Sequence, residues 1–160
     1  MTNTFTPGYR QHIIAAIRIA GRQPVEITAH GGGPGAEGSH IIAAFGEQLM
    51  ITMYDLAAAT AYIEVWTAEK YQWIFTRLPA AVRGTTGQVN VGPALSVRAN
   101  GHDTGTARYD SPSGTAVVRV GSLTWTIQDR AAADSMIEAW QYLADLAPVV
   151  LSRQARIRRR

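Results

Sequence analysis

The chain has 160 residues, 46% of them apolar and 17% charged, and it contains no cysteine. That composition excludes a wholly disordered chain, a disulfide framework, thiolate metal sites and a cysteine nucleophile. The formal charge of +3 belongs to the C-terminus: Arg153, Arg156, Arg158, Arg159 and Arg160 lie in the last eight residues, and the rest of the chain holds 10 basic against 12 acidic side chains.

In chain order, GYRQHIIAAIRIAG (8–21) reads as a first strand. VEITAH follows, then the glycine-rich GGGPGAEGS, then HIIAAF and LMITMY, which have strand-like spacing. Asp55 precedes a helical stretch reaching to about Leu78, and its place marks it as an N-cap rather than a catalytic acid. QVNVGP (88–93) supplies a strand to the second half, followed by LSVRAN and the short TARYD. TAVVRV and LTWTIQ flank Gly121-Ser122, a two-residue connection that predicts a hairpin. Asp129 caps a second helix on which Ala133, Met136, Ile137, Trp140, Leu143 and Ala147 form one apolar stripe, and Pro148 is expected to close it.

An internal repeat organises these elements. Set against each other, ITMYDLAAATAYIEVW (51–66) and WTIQDRAAADSMIEAW (125–140) share 8 of 16 residues without a gap, at an offset of 74. VEITAHG (25–31) and LSVRANG (95–101) match in pattern at an offset of 70. The expected fold is therefore α+β, a tandem duplication (ββββα)₂ with antiparallel sheets each covered by one helix. Its units are 1–84 and 85–148, fused into one domain, with 149–160 as an Arg-rich tail.

Hairpin register assigns the faces. Val118, Val120, Leu123, Trp125 and Ile127 face the helix, leaving Thr115, Val117, Arg119, Thr124, Thr126 and Gln128 on an open, mildly basic face. Arg98, with Ser96 and Asn100, is expected to share that face from the neighbouring strand. The equivalent face of the first copy, His40, Ile42, Ala44, Met50, Thr52 and Tyr54, is more apolar. The second helix turns Asp134, Glu138, Gln141 and Asp145 to water, whereas the first offers Ala57, Ala61 and Ala68, followed by Tyr71, Trp73 and Phe75. Small and aromatic residues of this kind suit an interface, so a homodimer or a protein partner is expected there.

Other polar groups carry less. His30 and His40 flank the glycine-rich loop with Glu37 between them, and a solvated or structural role is favoured over a metal site. GGGPG precedes a strand and lacks the lysine of a phosphate loop. His102 and Asp103 sit in a turn, NGHDTG. No cofactor and no enzyme activity are expected. With no apolar run near the roughly 18–20 residues that cross a bilayer, and no signal peptide in MTNTFTPGYRQH, the expectation is a cytoplasmic protein with no membrane partner.

The duplicated ββββα order, running over nearly the whole chain, resembles the Whirly and PUR-repeat families of single-stranded nucleic-acid binders. The resemblance implies a non-enzymatic module that binds single strands on an open sheet face, here with Arg98, Arg119 and the five tail arginines as the cations. ARYDSPSGTAVVRV followed by LTWTIQDRAAADSMIEAW also resembles a duplicated domain of unknown function found on bacterial mobile elements. The alternative is a protein-interaction or assembly module, phage- or plasmid-encoded, that binds through the apolar surface of the first repeat.

Overall fold

Residues 15–32, 36–46, 49–82, 88–90, 95–99 and 101–151 are described by a computed structural model of the chain. The first copy forms strands β1 (Ala15–Ala20), β2 (Val25–His30), β3 (His40–Phe45) and β4 (Leu49–Met53). The second forms β5 (Gln88–Asn90), β6 (Leu95–Arg98), β7 (Gly105–Asp110), β8 (Thr115–Val120) and β9 (Leu123–Ile127). Helices α1 (Leu56–Thr67) and α2 (Glu69–Thr76) follow β4, and α3 (Arg130–Val150) follows β9. The α+β duplication is as expected, and the Gly121 turn sets the expected register, with Val118 opposite Trp125 and Val120 opposite Leu123. The expected strand residues 8–14 and the tail 152–160 lie outside the described residues.

The copies are interleaved. Among the described residues, one sheet has four strands in the order β2-β3-β4-β6 and the other five in the order β5-β1-β9-β8-β7. Within each copy the last three strands, β2-β3-β4 and β7-β8-β9, pair antiparallel. β1, however, pairs parallel with β9 of the second copy, and β6 pairs parallel with β4 of the first. Ala15 lies opposite Leu123 and Leu95 opposite Leu49, so LSVR is the counterpart of AAIR, 80 residues earlier. VEITAH then corresponds to GTARYD at the same offset. The expected match of VEITAHG with LSVRANG at an offset of 70 is corrected accordingly. Alternating apolar residues look alike in any half-buried strand; hydrogen-bond register distinguishes them. The offset falls from 80 to 75 and then to 74 as loop 31–39 shortens to 111–114 and turn 46–48 to 121–122.

The helices cross over as well. α1 and α3 pack on each other, while α1 also lies on β7 and β8 and α3 on β2 and β3. Gly105 makes the first contact possible, because a Cβ there would stand 2.9 Å from both the Ala61 carbonyl oxygen and the Val65 Cβ. Trp66 and Trp140 are fully buried, as the stripes predict. A chain of rings ties the two sheets together through the helices. Phe45 meets Trp140 at 6.2 Å, Trp140 stacks on Tyr62 at 5.2 Å, and Tyr62 meets Trp125 edge-on at 6.2 Å. Burial, with the charge of Asp103 adding to it, pushes the Tyr62 phenol up, so it stays neutral.

Both aspartates are N-caps, Asp55 receiving the Ala58 N–H at 2.7 Å and Asp129 the Ala132 N–H at 2.8 Å. Two helix boundaries differ from expectation. The stretch from Asp55 to Leu78 breaks at Ala68, whose extended backbone (φ −63°, ψ 134°) ends α1 and starts α2. The break folds Phe75 back onto Trp66, with ring centroids 5.7 Å apart. Pro148 does not close α3, which runs on to Val150. It lies on the exposed side one turn from the end, where the N–H it lacks costs only one bond.

Candidate nucleic-acid interface

Each sheet buries one face on the helix pair and, among the described residues, has no helix on the other. On the four-stranded sheet, strand alternation turns His30 of β2, His40 of β3, Tyr54 just after β4 and Arg98 of β6 to the open side. Register aligns His30, His40 and Tyr54, and Arg98, whose cross-strand partner is Thr52, reaches diagonally to Tyr54 to complete a row of side chains over all four strands. The imidazoles of His30 and His40 stack at 4.8 Å with planes 15° apart. His40 and Tyr54 follow at 5.3 Å, and the Arg98 guanidinium carbon lies 4.3 Å from the Tyr54 ring centre.

Planar groups stacked along a sheet show water their edges, so this row presents ring nitrogens, a phenol and guanidinium N–H groups. His40 Nδ1 lies 2.6 Å from the Gly38 carbonyl. A carbonyl only accepts, so Nδ1 carries the proton and Nε2 is the nitrogen left for other partners. Among the described residues β2 and β6 are the edge strands of this sheet, so His30 and Arg98 are the two ends of the row. Beside it, Met50 is 42% exposed and Tyr54 41%, with Ile42 and Thr52 half-buried between them.

The five-stranded sheet has a different open face. Arg108, Val117, Thr126 and Arg18 form one row across β7, β8, β9 and β1. Arg119 lies in the adjacent row, between Thr106 and Thr124. Arg108 pairs with Asp110 at 3.4 Å. The Ser113 hydroxyl, then its backbone and Arg108, hold the Asp110 carboxyl below the ordinary carboxylate range, against a smaller opposing effect of burial.

The candidate cations are thus divided. Arg119 is on the open face expected for it. Arg98 does not share that face: it belongs to the four-stranded sheet, because β6 joins β4 and not its own copy's hairpin. The place expected for it is taken by Arg18. The internal repeat could have shown this, since AAIRIAG and LSVRANG share an arginine and a glycine at matching positions. Arg153, Arg156, Arg158, Arg159 and Arg160 lie outside the described residues.

The expected interface residues are divided too. Ala57 is exposed and Trp73 is 53% exposed. Ala61, Ala68 and Tyr71 are half-buried, and Phe75 is only 3% exposed. Ala61 and Phe75 are therefore corrected from outward-facing to packed within the chain, because β7 of the second copy and Trp66 cover them. His30 and His40 do face each other, but as a stack. Among the described residues no group of three or more His, Cys, Asp or Glu is arranged to hold a metal, and no helix is long and apolar enough to cross a membrane.

Compared with protein-family models, with characterised proteins and with solved structures, the chain gives no match. A reading of its function therefore stands on its own residues.

Proposed function

We propose that the protein is a non-enzymatic nucleic-acid-binding module that takes single strands across the open face of the four-stranded sheet, assisted by the Arg-rich tail. The observation that carries this reading is the row His30, His40, Tyr54 and Arg98, which spans the sheet with ring-to-ring and ring-to-cation distances of 4.3 to 5.3 Å. A strand lying along it meets Arg98 with its phosphates and the imidazole and phenol edges with its base edges. Exposed bases stack on the free ends of the row and rest on Met50. A duplex hides those bases, so it makes only the phosphate contacts. The element order that resembles the Whirly and PUR-repeat single-strand binders points the same way.

Fluorescence anisotropy with a labelled oligothymidylate and a matched duplex, each at two salt concentrations, tests the reading. The single strand should bind more tightly, and His30→Ala, which removes the terminal ring of the row, should weaken it by about tenfold, the scale of one lost base–aromatic stack. Five tail arginines correspond to a log–log salt slope of about −3.5 on a single strand, most of which should go when residues 153–160 are deleted. No binding by the intact chain at low salt would dismiss the proposal.

The second reading, self-association or a protein partner, is favoured by Met50 and Tyr54 on the sheet and Trp73 on α2, all more than 40% exposed. Light scattering across micromolar concentrations separates the two. A monomer that binds single strands supports the first, and a dimer that Met50→Lys dissociates supports the second.

A further inference from the structure

The duplication allows each outward position on one sheet to be compared with its counterpart on the other. These positions have mostly diverged: His30, His40, Ala44 and Tyr54 are replaced by Asp110, Thr115, Arg119 and Gln128. Two have not. Thr52 and Arg98, cross-strand partners on β4 and β6, reappear as Thr126 and Arg18, cross-strand partners on β9 and β1. Arg18 and Arg98 are both exposed, where fold stability tolerates many side chains. Identity there, amid divergent neighbours, points to a shared ligand contact.

The two arginines differ in what lies beside them. Arg98 rests on Tyr54. Gln128 stands in the place of Tyr54, and Arg18 opens instead onto a surface cavity of about 570 Å³ that Thr115, Val117, Thr126 and Gln128 also line. Among the described residues Arg18 makes no ion pair. The acid of the cavity wall, Asp110, is already taken up by Arg108 and by the Ser113 hydroxyl.

We propose that this cavity is a second binding site, for a phosphate group, in which Arg18 supplies the charge and Thr115, Thr126 and Gln128 supply neutral hydrogen bonds. A guanidinium matches phosphate oxygens with paired N–H groups, and half-buried hydroxyl and amide donors fix the remaining oxygens without adding charge. The site rests on the single-strand reading only where a polynucleotide is the source of the phosphate; a free phosphate fills it independently. Val117 forms an apolar floor too small for a stacked row, so recognition here is of the backbone and not of the bases.

The test is an amide NMR titration of the full chain, first with millimolar inorganic phosphate against chloride of equal ionic strength, then with a short oligothymidylate. Saturable shifts at Thr126, Gln128 and Thr115 are expected. Arg18→Gln should weaken them about tenfold, the loss of one charge-assisted hydrogen bond, while Arg18→Lys keeps part of the effect. Response to inorganic phosphate identifies a general phosphate site, and response to the oligonucleotide alone identifies a phosphodiester site. If neither ligand moves these amides, or Arg18→Gln leaves the response unchanged, the inference is overturned. Shifts here with none around Thr52 and Tyr54 would uphold it and overturn the four-stranded face as the strand-binding surface.

Discussion

Asp55 and Asp129 hold the same place in the two copies, yet their removal should have very different consequences. Asp55 is half-buried and, among the described residues, accepts only from Ala58 N. Asp129 is fully buried. Besides capping α3 it accepts the Gly21 N–H with both oxygens, at 3.0 and 2.9 Å, and the Val82 N–H at 3.2 Å. It thereby holds together the end of β1, the segment after α2 and the start of α3. Losing a cap costs about 1 kcal/mol. Removing the carboxylate as acceptor for the half-buried Gly21 and Val82 N–H groups adds about 1–2 kcal/mol each. Asp129→Ala should therefore lose roughly 3–5 kcal/mol and Asp55→Ala only about 1 kcal/mol. Urea unfolding followed by tryptophan fluorescence measures both, and thermal melts should show Asp129→Ala lower by about 10 °C. Asn in place of Asp129 should recover only part of the loss, since its NH₂ group faces donors. Equal losses in the two alanine variants, within about 0.5 kcal/mol, would refute the reasoning from buried acceptors.

Trp140→Ala should cost about 3–5 kcal/mol because the ring links Phe45 to Tyr62, and a loss below about 1 kcal/mol would show that it is not core. Its indole N–H has no hydrogen-bond partner among the described residues, so Trp140→Phe should cost much less in the same denaturation assay. Gly105→Val should destabilise by about 1–3 kcal/mol, because the added carbons enter the space of the Ala61 carbonyl and Val65; a neutral result would contradict the close approach of α1 to β7. The hydrogen bond and charge of Arg22 hold the Glu138 carboxyl below its ordinary range across an exposed 2.5 Å ion pair. That contribution is present above the unfolded-chain pKa of Glu138 and is lost as pH falls through the folded value. Melting curves of wild type and Glu138→Gln should then differ slightly at neutral pH and low salt and coincide in acid.

Local chemistry was legible in the sequence. A carboxylate just before an alanine-rich stretch caps a helix whatever packs on it, and Asp55 and Asp129 do so. Gly121 (φ 54°) turns a hairpin because a left-handed position favours glycine, and that turn alone set which residues of β8 and β9 face inward. The repeat placed Trp66 and Trp140 in equivalent, buried positions. Only the tertiary structure decided which strands sit side by side. Backbone ladders carry no side-chain signature, so nothing in LSVR states that it joins β4 of the other copy rather than its own hairpin. That choice moves Arg98 away from Arg119 and beside Tyr54, and it brings Arg18 into the five-stranded sheet. The break at Ala68, which turns Phe75 inward from an apparently exposed aromatic run, has the same origin. Helix propensity runs on through that segment, whereas the break is accompanied by the Phe75–Trp66 stack and by the Gln72 side-chain amide donating to the Trp66 and Ala68 carbonyls. The row of His30, His40, Tyr54 and Arg98 is composed of residues 68 positions apart, assembled by register and strand exchange, which pattern reading along a single chain does not contain.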